Sequence, residues 1–312
     1  MKRILSIDGG GIKGVFPASF LAEIEDSVDY AIAEYFDLIV GTSTGGIIAI
    51  GLGLGIPARE ILGLYEDLGP EVFGGNGFLN AMRHLFAPKY SSRALRISLE
   101  KTLGDRKLGE SITRLVIPSL DLETGNTYLY KTAHHPRFRM DYKVPAVDVA
   151  LATASAPTYF LPHKTVQGLP LIDGGLWANN PTGVAVVEAL GVLEWPKEEI
   201  MVLSLGCTTP PLDVKRSVQD GGGLKWGLPA IEIFMTAQSS ASLGTAYTLL
   251  SHDQVKRICP FVPPGRFSLD GIDAIADLKG KGHTEARHQQ PLLKDIFFND
   301  KKEPFEPCHL AA

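Results

Sequence analysis

The opening fifty residues constrain the fold most, because they repeat one unit: a short apolar run, a glycine turn, then a helix. Residues 4–7 (Ile-Leu-Ser-Ile) end at Asp8 and three glycines, the pattern of a buried strand entering a tight loop. From Gly14 to about Val28, the apolar residues Val15, Phe16, Ala18, Phe20, Leu21, Ile24 and Val28 fall at helical spacing. Residues 36–40 form a second apolar run closed by Gly41, and Gly45 to about Leu54 is again helical in pattern. Strand, loop, helix, strand, turn, helix is the start of a mostly parallel sheet with helices on its faces, an α/β fold.

Further along, residues 115–120 and 127–130 read as strands joined by the Glu123-Thr124-Gly125-Asn126 turn, and 147–153 as a helix. Residues 169–172 form a strand leading into Asp173-Gly174-Gly175, and Pro181 starts a helix through Leu190, where a missing N–H does no harm. A strand at 200–205, a polar loop at 208–227, a helix at 230–250, a strand at 255–261 and a helix at 284–298 complete the pattern. Residues 299–312 form a polar tail. No repeat or linker divides the chain, so one domain over 1–312 is expected. The stretch 73–90 stands apart, mixing Phe73, Phe78, Leu79, Leu85 and Phe86 with Arg83, His84 and Lys89. Such a mixture suits a cover that touches anionic membranes, or simply fills the core.

Composition closes off several function classes. A net charge of -5 without any basic run is the wrong balance for a nucleic-acid polymer, which demands a concentrated Lys/Arg face. Cys207, Cys259 and Cys308 are far apart with no metal-ligand spacing, so neither a disulfide framework nor a zinc site is suggested. That usage suits the reducing cytoplasm. No metal or organic cofactor is called for. The apolar start is too short for a signal peptide, and the most apolar stretch, 47–56, is too short for a membrane span.

Two motifs carry the chemistry. Gly41-Thr42-Ser43-Thr44-Gly45 is a G-x-S-x-G turn between a strand and a helix. A sharp turn there strains the serine's backbone and exposes its hydroxyl beside a positive helix end. Asp8-Gly9-Gly10-Gly11-Ile12-Lys13-Gly14 offers several unobstructed amides at a helix start, a nest for a phosphate or for an acyl-transfer oxyanion. Gly9, Gly11 and Gly14 also spell the dinucleotide fingerprint, but the second strand ends in Gly41 and Ser43 rather than in the acidic residue that would hold a ribose. Asp173 ends a strand where it can reach the same sheet edge; alone, it is equally a turn aspartate. Serine hydrolases usually recruit a histidine, yet none of the eight is marked as one. His134 and His135 read as a polar turn, and His163 is the most plausible partner.

Taken together, the glycine loop 8–14, the serine turn 41–45 and the aspartate loop 173–175 resemble the patatin-like phospholipases, relatives of plant patatin and cytosolic phospholipase A2. Residues 154–160 (Ala-Ser-Ala-Pro-Thr-Tyr-Phe) and Asn179-Asn180-Pro181 add to the resemblance, which runs over about 2–205. It implies a three-layer α/β fold with helices on both faces of the sheet. It also implies a catalytic pair without histidine: Ser43 as nucleophile and Asp173 as base, with the amides of Gly9, Gly10 and Gly11 as oxyanion hole. Asp8, Lys13, Gly14, Gly41, Gly45, Gly174 and Gly175 are the supporting motif residues. Lys13 stands where many members carry arginine, keeping the positive charge without the planar fork. Burial should raise the Asp173 pKa towards neutrality.

The implied substrate is membrane phospholipid, met at the inner membrane surface. Short bacterial members include anti-phage effectors switched on by cyclic oligonucleotides, so a cyclic di- or oligonucleotide activator is one expectation and a constitutive lipid or small-ester esterase the other. A homo-oligomer stands beside the monomer among the expected assemblies, and a nucleotide-binding module using Gly9 to Gly14 remains the non-enzymatic alternative.

Overall fold

The computed structural model describes residues 1–73, 89–208, 220, 221 and 223–310. Most of the aromatic stretch and residues 209–219 of the polar loop lie outside the described residues.

Strands β1 (Lys2–Ile7), β2 (Leu38–Gly41), β3 (Arg114–Asp121), β4 (Thr127–Lys131), β5 (His163–Lys164), β6 (Pro170–Asp173), β7 (Ile200–Leu205) and β8 (Val255–Ile258) form one 8-stranded sheet. Its order is β5-β6-β3-β2-β1-β7-β8, with β4 paired to β3. From β3 through β2, β1 and β7 to β8 every pairing is parallel, whereas β4, β6 and β5 join antiparallel.

Successive side chains of a strand point to opposite faces, and here both faces are apolar. Leu5, Ile7, Ile39, Leu115, Ile117, Leu203 and Leu205 face one core. It is closed by helices α1 (Val15–Glu25), α2 (Thr44–Gly53), α3 (Ala58–Phe73), α4 (Ser92–Leu103), α5 (Ala146–Ala154) and the C-terminal α9 (Ile275–Phe297). Ile4, Leu38, Val40, Val116, Ile200 and Val202 face the other core, under α7 (Thr182–Gly191) and α8 (Gly223–Leu249). A sheet with both faces covered is the arrangement parallel strands require. Between strand β6 and α7 lies the short α6 (Gly175–Ala178).

The sequence reading left out α4, β5 and α6, and other elements differ from it in their bounds. Helix α3 runs on to Phe73, the first residue of the aromatic stretch, and α8 begins at Gly223, well before residue 230. Helix α9 starts at Ile275 rather than at 284. Its first turns carry Gly280 and Gly282, which lower helix propensity and hide the periodicity. Gly282 is there for closeness: a Cβ at that position would lie 2.5 Å from the carbonyl oxygen of Phe16 on α1.

Candidate active site

The sheet itself brings the serine and the aspartate together. Ser119 and Leu120 of β3 each pair with one residue of β4 and one of β6, and Val116 pairs with one of β4 and one of β2. β2 and β6 therefore lie along the same edge of β3, running towards each other, and their C-terminal ends converge beside residues 117 and 118. Ser43 follows the end of one and Asp173 is the end of the other.

At the serine turn, Ser43 has φ 55 and ψ -121, a strained conformation for a residue with a side chain. The flanking glycines make the turn possible. A Cβ on Gly41 would lie 2.1 Å from the Gly45 carbonyl oxygen, and one on Gly45 would lie 2.3 Å from that of Ile7. The Ser43 amide donates to Thr153 Oγ1 at 2.9 Å, while that hydroxyl donates to the Pro118 carbonyl at 2.5 Å. Thr42 Oγ1 donates to the Ala178 carbonyl at 2.6 Å.

Ser43 Oγ donates to Asp173 Oδ2 at 2.6 Å, and the Gly175 amide donates to Oδ1 at 2.7 Å. The aspartate's own amide donates to the Ser155 carbonyl at 3.0 Å. Asp173 is only 5% exposed. Burial pushes its carboxyl up to about 6, against the two hydrogen bonds that favour the charged form. Gly174 has no room for a side chain, since a Cβ would meet the Pro118 carbonyl oxygen at 2.3 Å.

Next to this pair runs the glycine loop, with Gly9 packed so closely that a Cβ there would come within 3.2 Å of Ser43 Cβ. Gly9 does not offer its amide to the site, contrary to expectation: it donates to the Asn179 carbonyl at 2.9 Å. Gly10 and Gly11 keep their amides clear of any acceptor among the described residues. Gly11 has φ 58, and a Cβ on it would strike the Leu269 carbonyl oxygen at 2.2 Å. Gly14 packs on Thr44, whose Oγ1 would be 2.1 Å from an added Cβ. The partly buried Lys13 donates its amide to the Gly10 carbonyl at 3.2 Å.

Asp8 points away from the serine. Its carboxylate takes both terminal nitrogens of Arg257 on β8, at 2.8 and 2.5 Å. Burial is the largest influence on Asp8 and raises its carboxyl, with Arg257 pulling the other way. No local pattern marks Arg257 or the tasks of Thr153, Ser155 and Asn179; only Asn179 and Ser155 stand within motifs named above.

The described histidines stand elsewhere. Asp173 accepts hydrogen bonds from Ser43 and Gly175, with no imidazole among them in the described residues. His163 lies 3.7 Å from Asp148, and burial lowers its pKa. His134 is not in an exposed turn: it is buried between Thr132 Oγ1 at 2.8 Å and Glu188 Oε1 at 2.9 Å. His84 lies outside the described residues. Among the described residues no group of three or more His, Cys, Asp or Glu side chains could hold a metal, and no helix is long and apolar enough to cross a membrane.

The family model "Patatin-like phospholipase" matches residues 5–186, more than half of the chain. The chain belongs to the patatin-like phospholipase family. Among its patatin-like relatives, a cGAMP-activated phospholipase of Vibrio cholerae is 37% identical over 95% of this chain and 94% of its own length. One of Escherichia coli is 42% identical, over 60% of this chain and 55% of that protein, so the match spans little more than half of it. A patatin-like protein of Oryza sativa is 32% identical over 76% of this chain and 67% of its length. The solved structure of VipD from Legionella pneumophila covers 93% of this chain and shares the patatin-like fold, with a TM-score of 0.50 at 13% identity over 67% of that chain.

Proposed function

We propose that this chain hydrolyses acyl esters of membrane phospholipids with Ser43 as nucleophile and Asp173 as general base. The observation that carries the reading is the 2.6 Å hydrogen bond from the Ser43 hydroxyl to the buried Asp173 carboxylate, at a strained turn packed on a glycine loop whose Gly10 and Gly11 amides have no acceptor among the described residues. Asp173 takes the hydroxyl proton as Ser43 Oγ attacks the ester carbonyl. The amides of Gly10 and Gly11 hold the oxyanion that develops. The alcohol or lysolipid departs with the proton returned by Asp173, leaving an acyl-serine. Water, deprotonated by the same carboxylate, then releases the fatty acid and restores the serine. A carboxyl near 6 suits both halves, being ionised at neutral pH yet basic enough to accept a proton.

Control by a cyclic dinucleotide is part of the proposal, supported by three relatives described as cGAMP-activated phospholipases. The test uses the full chain on phospholipid vesicles with and without cGAMP, reading released fatty acid by mass spectrometry. Release that rises with cGAMP and disappears in Ser43→Ala and Asp173→Asn supports the whole reading. Equal release with and without the nucleotide leaves a constitutive hydrolase. Substantial turnover by Ser43→Ala overturns the serine mechanism.

A further inference from the structure

We infer that Arg257 is a positioning residue for the oxyanion amides, so that β8 and the loop after it complete a site whose other parts all lie within the first 186 residues. The inference rests on the reading under Proposed function. Gly9, Gly10 and Gly11 have little stiffness of their own, yet an oxyanion hole works only if its donors are fixed in advance. The rigidity must come from the loop's surroundings, and it is concentrated at its two ends.

At the entry, the Asp8 amide donates to the Leu205 carbonyl at 2.9 Å, and the Asp8 carboxylate is held by the Arg257 fork. Arg257 Nη1 also donates to Ser204 Oγ at 2.8 Å, and Ser204 shares a 2.7 Å hydroxyl bond with Thr182. Thr182 in turn donates to Asn180 Oδ1 at 2.6 Å, next to the Asn179 carbonyl that takes the Gly9 amide. At the exit, the Ile12 amide donates to the Leu269 carbonyl at 2.8 Å. The neighbouring Asp270 accepts from the Tyr90 hydroxyl at 2.8 Å and from the Lys89 ammonium. Residues 257 and 269 thus grip the loop from both sides.

Arg257 has a second effect. Asp8 is a carboxylate two residues from amides that must stabilise negative charge, and unpaired it would oppose the oxyanion. A planar guanidinium neutralises it at two points and fixes its direction, which a lysine ammonium cannot do. Loss of this hold should appear in the transition state and not in substrate binding: a fall in kcat with KM unchanged.

The experiment compares the full-length wild type with Arg257→Lys, Arg257→Gln and the double variant Asp8→Asn/Arg257→Gln. Three readouts are taken: turnover of a soluble ester, phosphonylation of Ser43 by a fluorophosphonate, and inhibition by a trifluoromethyl ketone whose serine adduct carries an oxyanion. Arg257→Lys should lower kcat at least about tenfold, a part of the hundredfold or more lost with a whole oxyanion donor. KM should stay within about twofold and the ketone's inhibition constant should rise in step with the loss of kcat. Arg257→Gln should lose more, and the double variant should recover part of that loss because no unpaired carboxylate remains. Folded Arg257 variants that keep kcat and ketone affinity within about twofold of wild type overturn the inference. If Arg257→Gln does not fold, Arg257→Lys decides the matter alone. With cGAMP present in every arm, a wild type that neither turns over ester nor reacts at Ser43 refutes the serine mechanism itself, a distinguishable failure.

Discussion

Thr153 holds Ser43 through its backbone: the threonine hydroxyl accepts the Ser43 amide at 2.9 Å and passes its own proton to the Pro118 carbonyl at 2.5 Å. One fully buried side chain thereby fixes the strained turn to the middle of β3. Thr153→Val keeps the shape and removes the hydroxyl, leaving a buried donor and acceptor unsatisfied. Stability should fall by about 1–3 kcal/mol, with a larger relative loss of ester turnover. Thr153→Ser should retain turnover while losing the methyl that packs near Gly46. Thermal unfolding and steady-state kinetics on the two variants check this, and equal turnover in both would remove the hydroxyl from the argument.

As the proposed base, the Asp173 carboxyl should give the activity a pH profile. With a folded value of about 6, turnover should rise about tenfold per pH unit below that point and level off above it. A profile flat from pH 4 to 8 would exclude this carboxylate as base.

The same group makes a statement about stability. Its folded value of about 6 lies above the ordinary 3.8, so the folded chain binds this proton more tightly than the unfolded chain does. The stabilisation is complete below pH 3.8, is lost as pH rises towards about 6, and stays lost above. The shift amounts to about 3 kcal/mol. Asp173→Asn should therefore be inactive yet harder to unfold at pH 8, with little difference at pH 3.5. Denaturant titration at the two pH values is the measurement.

His163 should be dispensable for chemistry. Its imidazole sits on β5 with Asp148 as its neighbour and makes no hydrogen bond to Asp173, so His163→Gln should keep turnover within about twofold. A hundredfold loss would bring back a histidine-based triad.

Gly45 should tolerate no side chain. Alanine there would press its Cβ to 2.3 Å from the Ile7 carbonyl oxygen and 2.6 Å from that of Asp8, rigid backbone in the central strand. Overpacking of this kind costs about 1–3 kcal/mol or more. Reduced thermal stability together with lost fluorophosphonate labelling is expected of Gly45→Ala.

How much of this was legible beforehand depended on the range over which each signal acts. The serine turn, the glycine loop and the aspartate loop are contiguous words, each with its own local physics, and so β1, β2, β6 and the helices after them were readable. Arg257 was not, because its meaning lies entirely in a carboxylate 249 positions away. The family resemblance implies an oxyanion role for the Gly9 amide along with its neighbours; only its bond to the Asn179 carbonyl separates Gly9 from Gly10 and Gly11. The early turns of α9 were hidden by glycines whose purpose is a helix crossing, which periodicity cannot register.

The head-on meeting of β2 and β6 along one side of β3 makes that strand a ruler. The distance from Ser43 to Asp173 is measured out by the residues between Val116, the last partner of β2, and Ser119, the first partner of β6. One residue inserted there would lengthen the scale by about 3.3 Å and turn one half over, so the reach of Ser43 to Asp173 is set by a stretch of backbone that carries neither side chain.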